Sequence, residues 1–185
     1  MKKQIIIDND GGTDDFVAIL YAFLSKKFDV KAISLVAGNT DVNNVKENVF
    51  KALEMAGVTP EEAEKIGIYL PERVNENIIS DGAQGDNGLG NVKYEPAVGY
   101  KINTNTAEDM LIDAVNKNPN AISIVATGPL TNIASVLDKD PEFAKKVKEI
   151  VIMGGDEGGG NITPYAEFNI SRSGKKSFWS RIWKY

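Results

Sequence analysis

The chain of 185 residues contains no cysteine and no histidine, and only 8% of its residues are aromatic. The lack of cysteine excludes a disulfide framework, and the lack of both types removes the thiolate and imidazole ligands that zinc prefers. Acidic residues outnumber basic ones by 26 to 21, which gives a formal net charge of −5. This balance argues against nucleic acid or an anionic membrane as the main partner, because both attract basic surfaces.

Long hydrophobic runs are also missing from the sequence. The apolar run after Gln4 has only three isoleucines before Asp8 ends it, far short of the apolar segment of a signal peptide. We therefore expect no signal peptide and no membrane span, and we expect the protein in the cytoplasm. The hydrophobic content of 42% in 185 residues is enough for one well-packed domain.

Short apolar runs alternate with helical patterns along the chain. Five runs are predicted to be strands of a buried parallel sheet: residues 4–7, 30–36, 66–70, 121–126 and 149–153. Between them, apolar residues recur at helical spacing in four segments, 16–24, 45–56, 107–115 and 130–137. Thr59 and Asp140, each followed by proline, are predicted to be helix N-caps. This alternation predicts a doubly wound α/β fold, with a mainly parallel sheet and helices on both faces.

Residues 8–15, Asp-Asn-Asp-Gly-Gly-Thr-Asp-Asp, place four carboxylates between the first predicted strand and the first predicted helix. Like charges on so short a turn repel one another, so the fold must protonate some of them or bind a cation. Oxygen donors select calcium or magnesium. Because ligands of such sheets lie beyond the carboxyl ends of the strands, we predict a metal site at this edge.

The same residue types also have ordinary structural roles. Asp14 and Asp15 could simply complement the dipole of the following helix, and Asp, Asn and Gly are common in turns. Asp10 lies upstream of that helix, which favours the metal site. Taken alone, the polar residues later in the chain fit a ligand-binding site no better than a polar loop: Asn39, Asn161, Glu167 and Asn169.

Residues 8–15 resemble the N-terminal signature of the inosine-uridine-type nucleoside hydrolases, Asp-x-Asp-Pro-Gly-x-Asp-Asp, with Gly11 where that family usually has proline. Segments 36–39, 126–132, 152–155 and 160–169 are similar to further motifs of the family, in the same order and at similar spacing. The resemblance extends from residue 4 to about residue 170.

The resemblance implies calcium-dependent hydrolysis of the N-glycosidic bond of ribonucleosides to ribose and free base, with a role in nucleoside salvage. By the same resemblance, Asp10 is the general base and a Ca²⁺ ligand, and Asp15 and the carbonyl of Thr127 are further metal ligands. The residues that it assigns to substrate binding are Asp14, Asn39, Met153, Asn161, Glu167 and Asn169. The expected partner is a small ribonucleoside, and a homo-oligomer is compatible with this assignment.

The chain also departs from the family pattern. Residues 171–185 contain five lysines or arginines, no acid and both tryptophans, so we expect an incomplete nucleoside-hydrolase-like domain over residues 1–170 and a divergent tail over 171–185. The tail fits a frameshift or early stop, or else a basic aromatic helix that covers a core edge or touches a membrane. Many family members use a histidine to protonate the leaving base, so we expect this polypeptide alone to be weakly active or inactive.

Two other functions stay open at this point. The first is a metal-binding or ribose-binding remnant without turnover. The second is a phosphatase of the haloacid dehalogenase type, because residues 5–11 resemble the strand-Asp-x-Asp-Gly opening of that family. That family has threonine or valine directly after this motif, whereas this chain has Gly12.

Overall fold

The computed structural model describes residues 2–74 and 82–173. The strands are β1 (Lys3–Asn9), β2 (Phe28–Leu35), β3 (Ile68–Tyr69), β4 (Ser123–Ala126) and β5 (Glu149–Ile152). The helices are α1 (Thr13–Leu24), α2 (Val42–Met55), α3 (Pro60–Ile66), α4 (Ala107–Lys117), α5 (Thr131–Lys139), α6 (Phe143–Lys146) and α7 (Phe168–Arg172).

The five strands form one sheet in the order β3-β2-β1-β4-β5, and all neighbouring strands are parallel. The central strand β1 is buried on both faces. Ile5 and Ile7 pack in a core cluster with α1 and α2, while Ile6 packs in a second cluster with α4 and α5. Helices therefore cover both faces of the sheet, which confirms the predicted doubly wound α/β architecture.

The edge strand β3 is shorter than the sequence pattern predicts. Helix α3 continues to Ile66, and Gly67 ends it with a φ of +83°, a left-handed conformation that favours glycine. The predicted start of α3 is confirmed. The Thr59 hydroxyl accepts from the N–H of Glu62, and the Glu62 carboxylate accepts from the N–H of Thr59, which forms a capping box.

The prediction that Asp140 is an N-cap is wrong. Helix α5 reaches Lys139, so Asp140 is its C-cap, and the next helix starts only at Phe143 with Glu142 as its N-cap. The Asp140 carboxylate accepts the N–H of Glu142 at 3.0 Å. This local turn competes with continued helix and explains why helix α6 begins later.

The parallel arrangement brings all five carboxyl ends to the same edge of the sheet. At that edge β1 leads into Asp10, β2 into Asn39, β4 into Thr127 and β5 into Met153. Of the tail predicted from residue 171, residues 174–185 lie outside the described residues. No helix in the part of the chain that the structure describes is long and apolar enough to cross a membrane.

Candidate active site

Asp10 directly follows β1 and is completely buried. Two glycines without side chains leave space for the Asp10 side chain. A Cβ on Gly38 would meet the Asp10 carboxylate and lie 2.7 Å from Pro129 Cδ, and a Cβ on Gly128 would lie 2.8 Å from Asp10 Cβ. Asn39 fixes the carboxyl group by donating its backbone N–H to Oδ2 at 2.8 Å and its side-chain Nδ2 to Oδ1 at 3.0 Å. The Asp10 side chain is therefore held in one orientation.

Asp15 lies in the first turn of α1 and meets Asp10 from the other side. Its Oδ2 accepts the N–H of Gly12 at 2.8 Å, whereas its Oδ1 is buried without a hydrogen-bond partner. Burial raises the pKa of Asp15, although contacts with Asp10, Thr127 and Gly12 oppose the rise. Burial and the neighbouring Asp15 charge raise the pKa of Asp10 to about 9. At neutral pH the pair therefore retains a proton unless a cation takes its place.

This pair fits a hard divalent cation. Two carboxyl groups face each other in a buried place, one oxygen of Asp15 is unpartnered, and the Thr127 side chain contacts Asp15. Within residues 2–74 and 82–173, no group of three or more acidic side chains is arranged to hold a metal ion. Because Ca²⁺ takes six to eight oxygens, these groups would supply only part of its coordination shell.

Thr127 connects this pair with a second group of polar residues. Its hydroxyl interacts with Asp15 and lowers the pKa of that carboxyl, and its carbonyl accepts Nδ2 of Asn169 at 2.8 Å. A carbonyl oxygen has two lone pairs, so the bond to Asn169 leaves one for a cation. The backbone N–H of Thr127 donates to the carbonyl of Asp8 at 2.8 Å, which ties the loop to β1.

The second group surrounds the start of α7. Asn169 is buried, and its Nδ2 also contacts Met153 through the carbonyl oxygen and Sδ, both at 3.1 Å. Glu167 caps α7 by accepting the N–H of Ile170 at 3.0 Å. Asn161 Oδ1 accepts the N–H of Phe168 at 2.8 Å. The residues predicted to bind substrate in this part of the chain therefore lie together, beside Thr127.

Asp14 forms the exposed rim of the site. A Cβ on Gly12 would lie 2.8 Å from Asp14 Oδ1 and would also meet the Asn39 amide, so Asp14 and Asn39 flank the same turn. Gln84 reaches this rim from another loop. Its Oε1 accepts from the hydroxyl and the N–H of Thr13, and its Nε2 lies 3.5 Å from Asp14 Oδ1. Gln84 is thus a neutral polar side chain at the entrance.

Asn48, on α2, was missed by the sequence analysis. It is buried, and its Nδ2 donates to the carbonyl of Gly11 and the carbonyl of Asn87, both at 2.8 Å. Its Oδ1 accepts the hydroxyl of Tyr94. Asn48 thereby attaches the loop that carries Gln84 to the turn that carries Asp10. An asparagine three residues after Val45, on the apolar face of the predicted helix, was the available signal.

Asp8, one of the four carboxylates of the predicted metal site, bonds instead to Ser34 and Asn132, two residues that the sequence analysis missed. Asp8 is completely buried, and its Oδ1 accepts from Ser34 Oγ at 2.6 Å and from Asn132 Nδ2 at 2.8 Å. Its Oδ2 is buried without a partner. Burial raises the pKa of Asp8 to about 6, although the Ser34 and Asn132 bonds oppose the rise.

Comparison with known proteins gives consistent matches. The sequence profile of the family described as inosine-uridine preferring nucleoside hydrolase matches residues 5–172. The chain is 38% identical over 170 residues to a probable uridine nucleosidase 1 of Oryza sativa subsp. japonica, covering 91% of this chain and 52% of the relative. It is 38% identical over 171 residues to the pyrimidine-specific ribonucleoside hydrolase RihA of Citrobacter koseri, covering 92% and 54%.

Two solved structures have the same fold. The plant nucleoside hydrolase PpNRh1 superposes with a TM-score of 0.83 at 38% identity, covering 93% of this chain and 54% of that chain. A purine-preferring ribonucleoside hydrolase from Gardnerella vaginalis superposes with a TM-score of 0.81 at 31% identity, covering 92% and 54%. The chain spans about half the length of the curated relatives it matches.

Proposed function

Because the chain belongs to the inosine-uridine preferring nucleoside hydrolase family, we propose that its site hydrolyses the N-glycosidic bond of ribonucleosides with the help of bound calcium. The observation that carries the proposal is the buried pair Asp10 and Asp15, with one unpartnered oxygen at the carboxyl edge of the sheet. A calcium ion held by these carboxylates and the Thr127 carbonyl would lower the pKa of a coordinated water and orient the sugar diol.

Asp10 is the group that moves a proton. Its two bonds from Asn39 hold the carboxylate in one orientation, and it is the general base that takes a proton from the attacking water. The water oxygen bonds to C1′ of the ribose as the bond from C1′ to the base nitrogen breaks. The base leaves with that electron pair and, in our proposal, takes a proton from solvent; the sequence has no histidine to supply it.

The negative charge of the site assists the same step. The sugar passes through a transition state of oxocarbenium character, which fixed carboxylates stabilise. We assign the ribose hydroxyls and the 5′ end of the sugar to the polar residues beside Thr127 and at the rim: Asp14, Asn39, Asn161, Glu167 and Asn169. We assign Met153 to the lining of the same pocket. The names of the relatives state different base preferences. Our proposal therefore specifies ribonucleosides as the substrate class and does not specify the base.

We further propose that the 185-residue polypeptide alone turns over slowly. The site offers two acidic ligands for the cation, and the sequence has no histidine to protonate the leaving base. A general acid typically contributes on the order of 10²–10⁴ in rate. A cytoplasmic location and a role in nucleoside salvage belong to the same proposal. A binder of metal or ribose without turnover is the alternative, because the same carboxylate pair fits a cation with or without catalysis.

Ribose release from uridine and from inosine, measured by a reducing-sugar assay with calcium and with a chelator, tests the proposal. We expect slow, calcium-dependent release that Asp10→Asn lowers to the buffer blank. Asp113→Asn is the matched control, because that carboxylate is 67% exposed on α4, and it should retain the wild-type rate. Equal release by wild type and Asp10→Asn would favour the non-catalytic binder. Magnesium-dependent phosphate release from a phosphomonoester would instead support the hypothesis of a haloacid dehalogenase type phosphatase.

A further inference from the structure

Asn132 makes two hydrogen bonds across the sheet edge from a buried position. It lies in the first turns of α5 and is 1% exposed. Its Nδ2 donates to Asp8 Oδ1 at 2.8 Å and to the carbonyl of Leu35 at 3.0 Å. One side chain of α5 is therefore bonded to the ends of both β1 and β2.

Asp8 extends this arrangement. The same Oδ1 accepts the hydroxyl of Ser34 on β2 at 2.6 Å, and the exposure of Asp8 and of Ser34 is 0%. A carboxylate of β1, a hydroxyl of β2 and a carboxamide of α5 thus meet in a place closed to solvent. We name Asp8, Ser34 and Asn132 the buried anchor.

The anchor joins the three elements whose loops form the candidate active site. Asp8 is two residues before Asp10, and β2 leads to Asn39. Asn132 is five residues after Thr127, whose N–H donates to the Asp8 carbonyl at 2.8 Å. The bonds of the anchor therefore fix the relative positions of the groups proposed to hold the cation.

Packing alone does not explain these residue types. Neighbouring positions of α5 are apolar and fully buried, such as Ile133 and Val136, and burying polar groups costs free energy unless their hydrogen bonds are made. Directional bonds confer a fixed geometry that apolar contacts do not. We propose that Asn132 is a positioning residue, which acts through Asp8 to hold the Thr127 loop against the turn that carries Asp10.

This inference rests on the proposed calcium site for one of its two readouts. Removal of outer partners of a metal site typically lowers affinity 10- to 100-fold. We expect Asn132→Ala to weaken Ca²⁺ binding by about tenfold, in calorimetric titrations at a temperature where the variant is folded. Val136→Ala is the matched control on the same helix. It also loses buried side-chain atoms, and we expect it to bind Ca²⁺ within about twofold of wild type.

The second readout needs no calcium. Amide hydrogen exchange, followed by NMR with a chelator present, reports the Thr127 N–H directly. We expect Asn132→Ala to speed exchange at Thr127 by about tenfold relative to Val136→Ala, at conditions of equal global stability. If Asn132→Ala does not fold, Ser34→Ala, which removes the other bond to Asp8 Oδ1, takes its place. For Ser34→Ala we expect smaller changes of the same sign.

The two readouts separate the two proposals. If the wild-type chain binds no calcium, the proposed function fails, and the exchange experiment alone decides the role of the anchor. The positioning role is overturned if Asn132→Ala, or Ser34→Ala in its place, exchanges at Thr127 like Val136→Ala. It is also overturned if the wild type binds calcium and the anchor variant binds it as tightly as Val136→Ala does.

Discussion

Asn39 donates two hydrogen bonds to the Asp10 carboxyl group, from its backbone N–H to Oδ2 at 2.8 Å and from its side chain to Oδ1 at 3.0 Å. A residue of the loop between β2 and α2 thus fixes the proposed base, which directly follows β1. Only the second bond depends on the side chain, so it can be removed by substitution.

We expect Asn39→Ala to lower the free energy of unfolding by about 1–3 kcal/mol, because it leaves Asp10 Oδ1 buried with one donor fewer. Urea unfolding at neutral pH measures the change. Asn43→Ala, an exposed asparagine on α2, is the control and should change stability by less than about 0.5 kcal/mol. Equal effects of the two substitutions would mean that the side-chain bond adds nothing.

Two further substitutions test how closely the chain packs around Asp10. A Cβ on Gly38 would meet the Asp10 carboxylate and Pro129, so Gly38→Ala should destabilise the fold by about 1–3 kcal/mol. Gly158→Ala is the control, because its Cβ would be 3.9 Å from the nearest Asp156 oxygen. Urea unfolding compares the two variants, and a Gly38→Ala protein as stable as Gly158→Ala would contradict this packing.

The turn after Asp10 differs from the family pattern in its backbone. Gly11 has a φ of +69°, whereas proline fixes φ near −65°. Although the family usually has proline here, we expect Gly11→Pro to destabilise this chain by more than about 1 kcal/mol, because the turn bonded to Asn48 cannot form around it. Thermal unfolding checks this expectation. A gain in melting temperature would show that the turn accepts the negative φ of proline.

The raised pKa values of the carboxyl groups at the sheet edge predict that the calcium-free protein loses stability as pH rises. The pKa of Asp8 is raised to about 6 and that of Asp10 to about 9, from 3.8 in both cases. Above pH 3.8 and up to each raised pKa, the folded state holds protons that the unfolded chain has released. The slope of stability against pH is therefore negative in this interval. Asp109, Asp140 and Glu149 have lowered pKa values, so their contribution to stability is lost only as pH falls into the acidic range.

Urea unfolding with a chelator at about pH 5 and about pH 8 measures this dependence. The wild type should be less stable at the higher pH, and Asp10→Asn should reduce the difference because that position no longer titrates. Asp113→Asn, on the exposed face of α4, should leave the difference unchanged. A wild-type protein that is as stable or more stable at the higher pH would refute the prediction.

The sequence carried enough information for the sheet and for the carboxylate pair. Apolar runs followed by polar loops place Asp10 at the same edge as Thr127, because parallel strands share a direction. The residues that were missed are polar ones inside regular elements: Asn48, whose place on the apolar face of α2 was the one available signal, and Asn132 and Ser34. A polar residue in a helix or strand pattern ordinarily indicates a solvent-facing position, and only the packed structure shows that these three are buried and bonded.

The boundaries of helices and strands were predicted less well, for a related reason. The apolar pattern at residues 66–70 fits helix and strand equally, and the choice is made by Gly67, whose φ of +83° separates α3 from β3. At Asp140 the side chain can cap a helix or close a local turn, and the structure selects the turn to Glu142. Both outcomes depend on the preceding helix, which the local sequence does not specify.

Calcium titration by calorimetry, at neutral pH, tests the central claim most directly. We predict one Ca²⁺ site in the wild-type chain, abolished in Asp15→Ala because that substitution removes the carboxylate with the unpartnered buried oxygen, and retained in Asp113→Ala. A wild-type chain that gives no binding heat, or an Asp15→Ala chain that binds Ca²⁺ with wild-type affinity, would contradict the account.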